Sequence, residues 1–295
     1  MRNSHNRHLL VTLGDEPGAL NGVRFVAGFF SRPQDMRLTL LHTVPRAPRP
    51  GDASGDAVLP VACGGGGGPQ GAAPGHEAVE RARAVLCAGG FGPGAMEAKI
   101  VFRQYARILD VILEGEKGLY DAVVLGRQAI GLLEDAYGSE VSRGVLEAHA
   151  GAPLWVCREI DPARRGVLLC VDGSASSLAM ADHVGFMLAA EPAHRVTLLT
   201  VAGPGQEPDQ AREAARAVLL DNGLDPGRVD ARRLEVGANE EIGPALLAEA
   251  GASGCAVVAV GRTGVGLRRA PGMFMGTAAD HLFRLLRGAA LWVCR

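Results

Sequence analysis

Two loops in the second half of the chain carry the residue types that hold a phosphorylated ligand. One is Val171-Asp172-Gly173-Ser174, which ends an apolar run with a carboxylate and a tight turn. The other is Gly261-Arg262-Thr263-Gly264, which follows the run Ala256–Val260 and is succeeded by Gly276-Thr277. Glycine lets backbone approach an anion closely, and a helix opening at Gly276-Thr277 offers free N–H groups and a partial positive charge. Arg262, Arg268 and Arg269 add three cations. Taken alone, the glycines could simply turn the chain and Thr277 could simply cap a helix. The rim carboxylate and the arginines together favour an anion site.

Other chemistries find little support. Ser174 has no evident base, and no Ser/His/Asp or Cys/His constellation falls on these loops. The six cysteines show no CxxC spacing and the eight histidines no HxxxH or HxH, so no metal site is expected. Cys157, Cys170, Cys255 and Cys294 lie in apolar runs and read as buried thiols, and Cys63, in a glycine-rich stretch, reads as open to oxidation.

The elements that position the loops occur twice. Ala122-Val-Val-Leu-Gly-Arg127, Gly138-Ser139 and Leu154-Trp-Val-Cys-Arg158 are repeated as Ala256-Val-Val-Ala-Val-Gly-Arg262, Gly276-Thr277 and Leu291-Trp-Val-Cys-Arg295. The register between copies falls from 158 at Thr39/Thr197 to 133 at Ala82/Ala215, an insertion of 25 residues in the first copy. Its Gly- and Pro-rich composition marks residues 46–76 as a mobile surface loop. Within each copy, short apolar runs alternate with helix-period segments, which predicts a parallel sheet covered on both faces. The expected architecture is α/β: domains 1–160 and 161–295, each a doubly wound five-stranded sheet of order 3-2-1-4-5. The linker Asp161-Pro-Ala-Arg-Arg165 is short, and Leu-Trp-Val-Cys-Arg would leave an apolar edge bare. The closing strands are therefore expected to meet about a pseudo-two-fold.

Net charge is −2, with 47% hydrophobic and 21% charged residues. There is no basic field for nucleic acid and no apolar run of bilayer length, so neither partner is expected and the cytoplasm is the default location.

With V-D-G-S at the end of its first strand and Gly261, Gly264 and Gly276-Thr277 after its fourth, the second copy resembles the universal stress protein family. That family's nucleotide loop reads G-x2-G-x9-G-[ST]; here eleven residues separate Gly264 from Gly276. The resemblance covers nearly the whole chain and implies ATP or another adenine nucleotide. Asp172, with Gly173 and Ser174, would meet the ribose or adenine, and backbone near Val201 the base. Gly261, Arg262, Gly264, Gly276 and Thr277 would hold the phosphates, with Mg2+ bound through them. It also implies a stress-response role, and dimerisation through the last strand, either between the two copies or as a homodimer.

The first copy departs from the pattern. Leu13 stands where Asp172 does, with Asp15 close by, and Ala129 replaces the second glycine. Glu134, Asp135 and Glu140 stand where the second copy offers arginines. One nucleotide per chain, in the second copy, is the expectation. The alternatives are a partner-binding module of the same fold that binds no nucleotide, and a weak ATPase or adenylating enzyme. The enzyme lacks the S-G-G-x-D-S and H-I-G-H motifs such chemistry uses. A dinucleotide fold is disfavoured because Gly261–Gly266 follows a fourth strand rather than a first.

Overall fold

A computed structural model describes residues 7–14, 20–44, 59–60, 75–102, 107–137, 151–202, 208–236, 241–264 and 275–295. The first half holds strands β1 (Arg7–Leu13), β2 (Met36–Val44), β3 (Leu59–Pro60), β4 (Met96–Phe102), β5 (Ala122–Gly126) and β6 (Leu154–Cys157). Its helices are α1 (Asn21–Phe29), α2 (His76–Ala88), α3 (Arg107–Lys117) and α4 (Arg127–Tyr137). The second half holds β7 (Val167–Val171), β8 (Val196–Ala202), β9 (Val229–Glu235), β10 (Val257–Gly261) and β11 (Ala290–Cys294). Its helices are α5 (Ala175–Leu188), α6 (Pro208–Asp221), α7 (Ile242–Ser253) and α8 (Thr277–Leu285).

The strands form one sheet of eleven, in the order β3-β4-β2-β1-β5-β6-β11-β10-β7-β8-β9. Each half keeps the expected order 3-2-1-4-5, but the two five-stranded sheets are one continuous sheet, with β3 added at its edge. The halves fuse because β6 and β11 pair antiparallel, Leu291 with Val156, Trp292 with Trp155 and Val293 with Leu154. An identical apolar edge on each half is self-complementary, and pairing the two removes both. Neither closing strand is left free to recruit a second chain. The other ladders are parallel, apart from β3 against β4.

Strands β5, β6, β7 and β11 are buried along their full length, as the apolar runs require of a sheet covered on both faces. Alternation sends Leu9, Val11, Trp155 and Trp292 into one core and Leu10, Val123, Leu154 and Val258 into the other. Both cores run through the joint. At its centre the two indoles stack at 4.0 Å between ring centroids with an interplanar angle of 5°.

Polar side chains lock the joint from the first face. The fully buried Glu191 accepts hydrogen bonds from Ser31 N (2.8 Å) and Ser31 Oγ (2.7 Å) and lies 3.6 Å from the buried Arg7. Arg7 donates to Met187 O at 2.6 Å. His194 Nδ1 accepts from Gly166 N, which places the ring proton on Nε2, 2.7 Å from Phe29 O. Burial holds the His194 pKa below its ordinary value.

Two first-half expectations change. Glu134 and Asp135, which align with the loop arginines of the second copy, belong instead to helix α4. Ala129, Ile130, Leu133 and Ala136 recur at helical spacing and are buried in the second core, so apolar burial overrides the analogy with the other copy. Within 46–76, Leu59–Pro60 pairs antiparallel with Ile100 and Lys99, and His76 opens α2. Apart from Gly75, the rest of that segment, Cys63 included, lies outside the described residues, as do Asp15, Gly138, Ser139, Glu140, Arg268 and Arg269.

Candidate functional site

In the second half the strand order reverses at β7, which pairs with β8 on one side and β10 on the other. At such a switch point the crossing loops part and open a crevice beyond the carboxyl ends of the strands. Here it is a pocket of about 120 Å³.

From β7 come Cys170, Val171 and the exposed Asp172. Gly173 takes φ +81°, a left-handed turn that favours glycine, and it brings Ser174 back toward Asp172. Asp172 Oδ1 accepts from Ser174 N (3.0 Å) and Ser174 Oγ (2.6 Å). Ser174 is also the N-cap of α5, its Oγ accepting from Ser177 N at 3.2 Å. Gly173 and Ser174 thus shape the rim and orient the carboxylate without lining the pocket themselves.

From β10 come Val260, Gly261, Arg262, Thr263 and Gly264. Thr263 is stitched to the start of α5: its carbonyl accepts from Ser176 Oγ, and its N–H donates back to that oxygen at 3.3 Å. The stitch requires glycine at 261, because a Cβ there would sit 2.7 Å from both Ser176 Oγ and Ser177 N. Helix–strand contact therefore fixes Gly261 whether or not a ligand is bound. Arg262 is also not the exposed loop cation expected from the sequence. Its residue is 3% exposed, its N–H donates to Cys294 O at 2.7 Å, and it lies against the pocket wall.

Gly276 is the N-cap of α8 and donates its N–H to Arg262 O at 2.7 Å. Thr277 is the first helical residue, so the cap falls to Gly276 and leaves Thr277 lining the pocket. The remaining wall is apolar: Val201 from β8, Ile242 and Leu246 from α7, and Ala279 from α8. Sequence reading found Val201 but missed Ile242, Leu246 and Ser177. The available signal was Ile242, an apolar residue at a helix start, which is 38% exposed. Burial pushes the Cys170 thiol well above its ordinary range, so it lines the pocket as an inert neutral group. Among the described residues no group of three His, Cys, Asp or Glu side chains could hold a metal ion.

The first half treats the same position differently. Thr12 Oγ1 donates to Val124 O (3.0 Å) and accepts from Gly126 N (3.2 Å), tying β1 to β5 across the switch point. Leu13, in the place of Asp172, is buried, and Glu134 pairs with Arg158.

The chain superposes on a universal stress protein from Archaeoglobus fulgidus DSM 4304 with a TM-score of 0.61 at 14% identity, over 99% of this chain and 97% of that one. The chain has the universal stress protein fold. It is also similar to a universal stress protein solved in complex with cAMP (24% identity, 44% of this chain, 96% of that one, TM-score 0.35). A third similar structure is a universal stress protein family member from Burkholderia pseudomallei (20% identity, 43% and 92% covered, TM-score 0.30). No protein-family model matches the sequence, and no curated protein matches it significantly. In this fold, the pocket stands at the reversal of strand order in the second half.

Proposed function

We propose that the chain is a regulatory protein that binds one adenine nucleotide, ATP, in the second-half pocket, between domains' worth of sheet spanning 161–295, while 1–160 serves as its structural partner. The observation that carries the reading is the division of the pocket wall. Val201 from β8 with Ile242 and Leu246 from α7 supply apolar lining, and Gly264, Gly276 and Thr277 supply backbone-rich lining at the α8 N-terminus. A nucleotide has that same division between base and phosphates. A Cβ at Gly276 would come no nearer than 3.4 Å to Arg262 O, so small size at 276 is not needed for packing. A backbone open to an approaching oxyanion accounts for it.

Asp172, oriented by Ser174, supplies the acceptor for a ribose hydroxyl. Mg2+ would arrive on the phosphates, keeping most of its water shell, as that ion commonly does. The chain works as a nucleotide-responsive stress protein of the cytoplasm, not as a dedicated enzyme. Mass spectrometry of small molecules released from freshly purified protein tests this, with titration calorimetry of MgATP. One site per chain, lost in Asp172→Ala and Gly276→Asp, is the expected result. No saturable binding, or two equal sites, would refute it.

A further inference from the structure

A second cavity, of about 310 Å³, lies at the seam of the halves, between α1, the linker and the start of β10. Helix α1 faces it with Asn21, Arg24, Phe25 and Gly28, spaced i, i+3, i+4 and i+7 on one side of the helix. The opposite wall is Ile160 to Arg165, and Ala256 closes the base. The linker is pinned there: Asp161 N donates to Gly288 O at 3.2 Å, and the Arg164 guanidinium packs against Gly288.

The charge in this cavity is unbalanced. Arg24, Arg164 and Arg165 line it against the single acid Asp161. Asp161 sits 3.7 Å from Arg164, and one of its oxygens already accepts from Ala163 N. Arg24 and Arg165 have no acidic partner among the described residues, and Arg164 Nη1 is buried without a hydrogen-bond partner. Buried donors of this kind ordinarily find acceptors. Phe25, Phe29 and Ile160 supply an apolar floor beneath them. Gly28 leaves the helix side open, since a Cβ there would meet nothing within 4 Å.

We propose that this cavity is a binding site for a small organic anion: a carboxylate or phosphate held by Arg24 and Arg164, carried on an apolar or aromatic body that rests on Phe25 and Phe29. Because its walls come from both halves, occupancy ties α1 of the first to the β10 strand of the second. The site is separate from the nucleotide pocket and does not depend on that pocket's assignment.

Calorimetry with phenyl phosphate, benzoate and inorganic phosphate on the full chain tests it. Phenyl phosphate or benzoate should bind at one site per chain and weaken by about tenfold or more in Arg24→Ala and in Arg164→Gln. Gly28→Leu, which keeps every charge and improves helix propensity, should block the aromatic probes by filling the cavity. Gly276→Asp, in the other pocket, should leave them unchanged. Circular dichroism confirms folding of each variant, and the exposed Arg24 keeps at least one of them safe from a folding defect. No saturable binding by either aromatic probe would overturn the proposal. So would arginine variants that bind as the parent does, or inorganic phosphate that binds as tightly as phenyl phosphate.

Discussion

The seam makes an acid-sensitivity prediction that can be worked through. His183 is buried, its Nε2 accepts the Trp155 indole N–H at 3.0 Å, and both indoles lie within 6 Å of its ring. Burial lowers its pKa from the ordinary 6.5 to about 3. Between those values the unfolded chain binds a proton that the folded chain refuses, so stability falls as pH falls. The contribution is fully present above pH 6.5 and is lost progressively as pH drops toward 3. At about 1.4 kcal/mol per unit, roughly 3 kcal/mol is gone at pH 4.5 and about 4 kcal/mol by pH 3. His183→Gln keeps an acceptor for Trp155 but cannot charge. Urea titrations at pH 7.5 and 4.5, followed by fluorescence of the two stacked tryptophans and by circular dichroism, give the comparison. All other groups are common to both proteins and cancel in the comparison. The wild type should lose about 2–3 kcal/mol more than the variant over this interval. Equal losses would mean that His183 is not held neutral against its neighbours, and the account of the seam would fail with it.

Glu191→Ala should destabilise the fold by about 3–5 kcal/mol, because it leaves Arg7 buried without its acid. Arg7→Met with Glu191→Leu should recover most of that loss, as measured by a double-mutant cycle in urea. Gly261→Ala should cost about 1–3 kcal/mol by pushing α5 off β10, and should weaken MgATP as well, by calorimetry. Ser174→Ala should remove about 1 kcal/mol through the lost cap and weaken MgATP less than Asp172→Ala does, since it acts on the carboxylate only by orienting it.

What the sequence reveals and what it hides divide along physical lines. Strand runs such as Ala122–Leu125 and Val257–Val260 are legible because burial on both faces forces a continuous apolar string. The twofold Leu-Trp-Val-Cys-Arg identifies the edges that meet. Helix α4 is masked by aligning Glu134 and Asp135 with the loop of the other copy, although Ile130, Leu133 and Ala136 have helical spacing. Arg262 was misplaced because side-chain direction is set by tertiary packing: a residue between two glycines reads as loop, whether its guanidinium points out or in. The Arg7–Glu191–Ser31 contacts join residues more than 150 positions apart, and nothing local to any of them announces the others.

The same division explains how two copies of one pattern come to differ at their switch points. What holds each half in place is common to both: apolar strands, helices on two faces, and a closing strand seated against its twin. Beyond the contact that fixes Gly261, the tips of β1/β5 and β7/β10 differ, and in opposite directions. In the first half Thr12 bridges β1 to β5, Leu13 is buried and α4 begins directly after Gly126, so chain that might have wrapped a ligand is spent on the core. In the second half Asp172 stays exposed, and Gly264 and Gly276 both line the pocket. The nucleotide site we propose is therefore confined to the second half, and building one in the first would require unwinding α4, with the loss of the buried Ile130 and Leu133 at about 2–5 kcal/mol each if truncated to alanine.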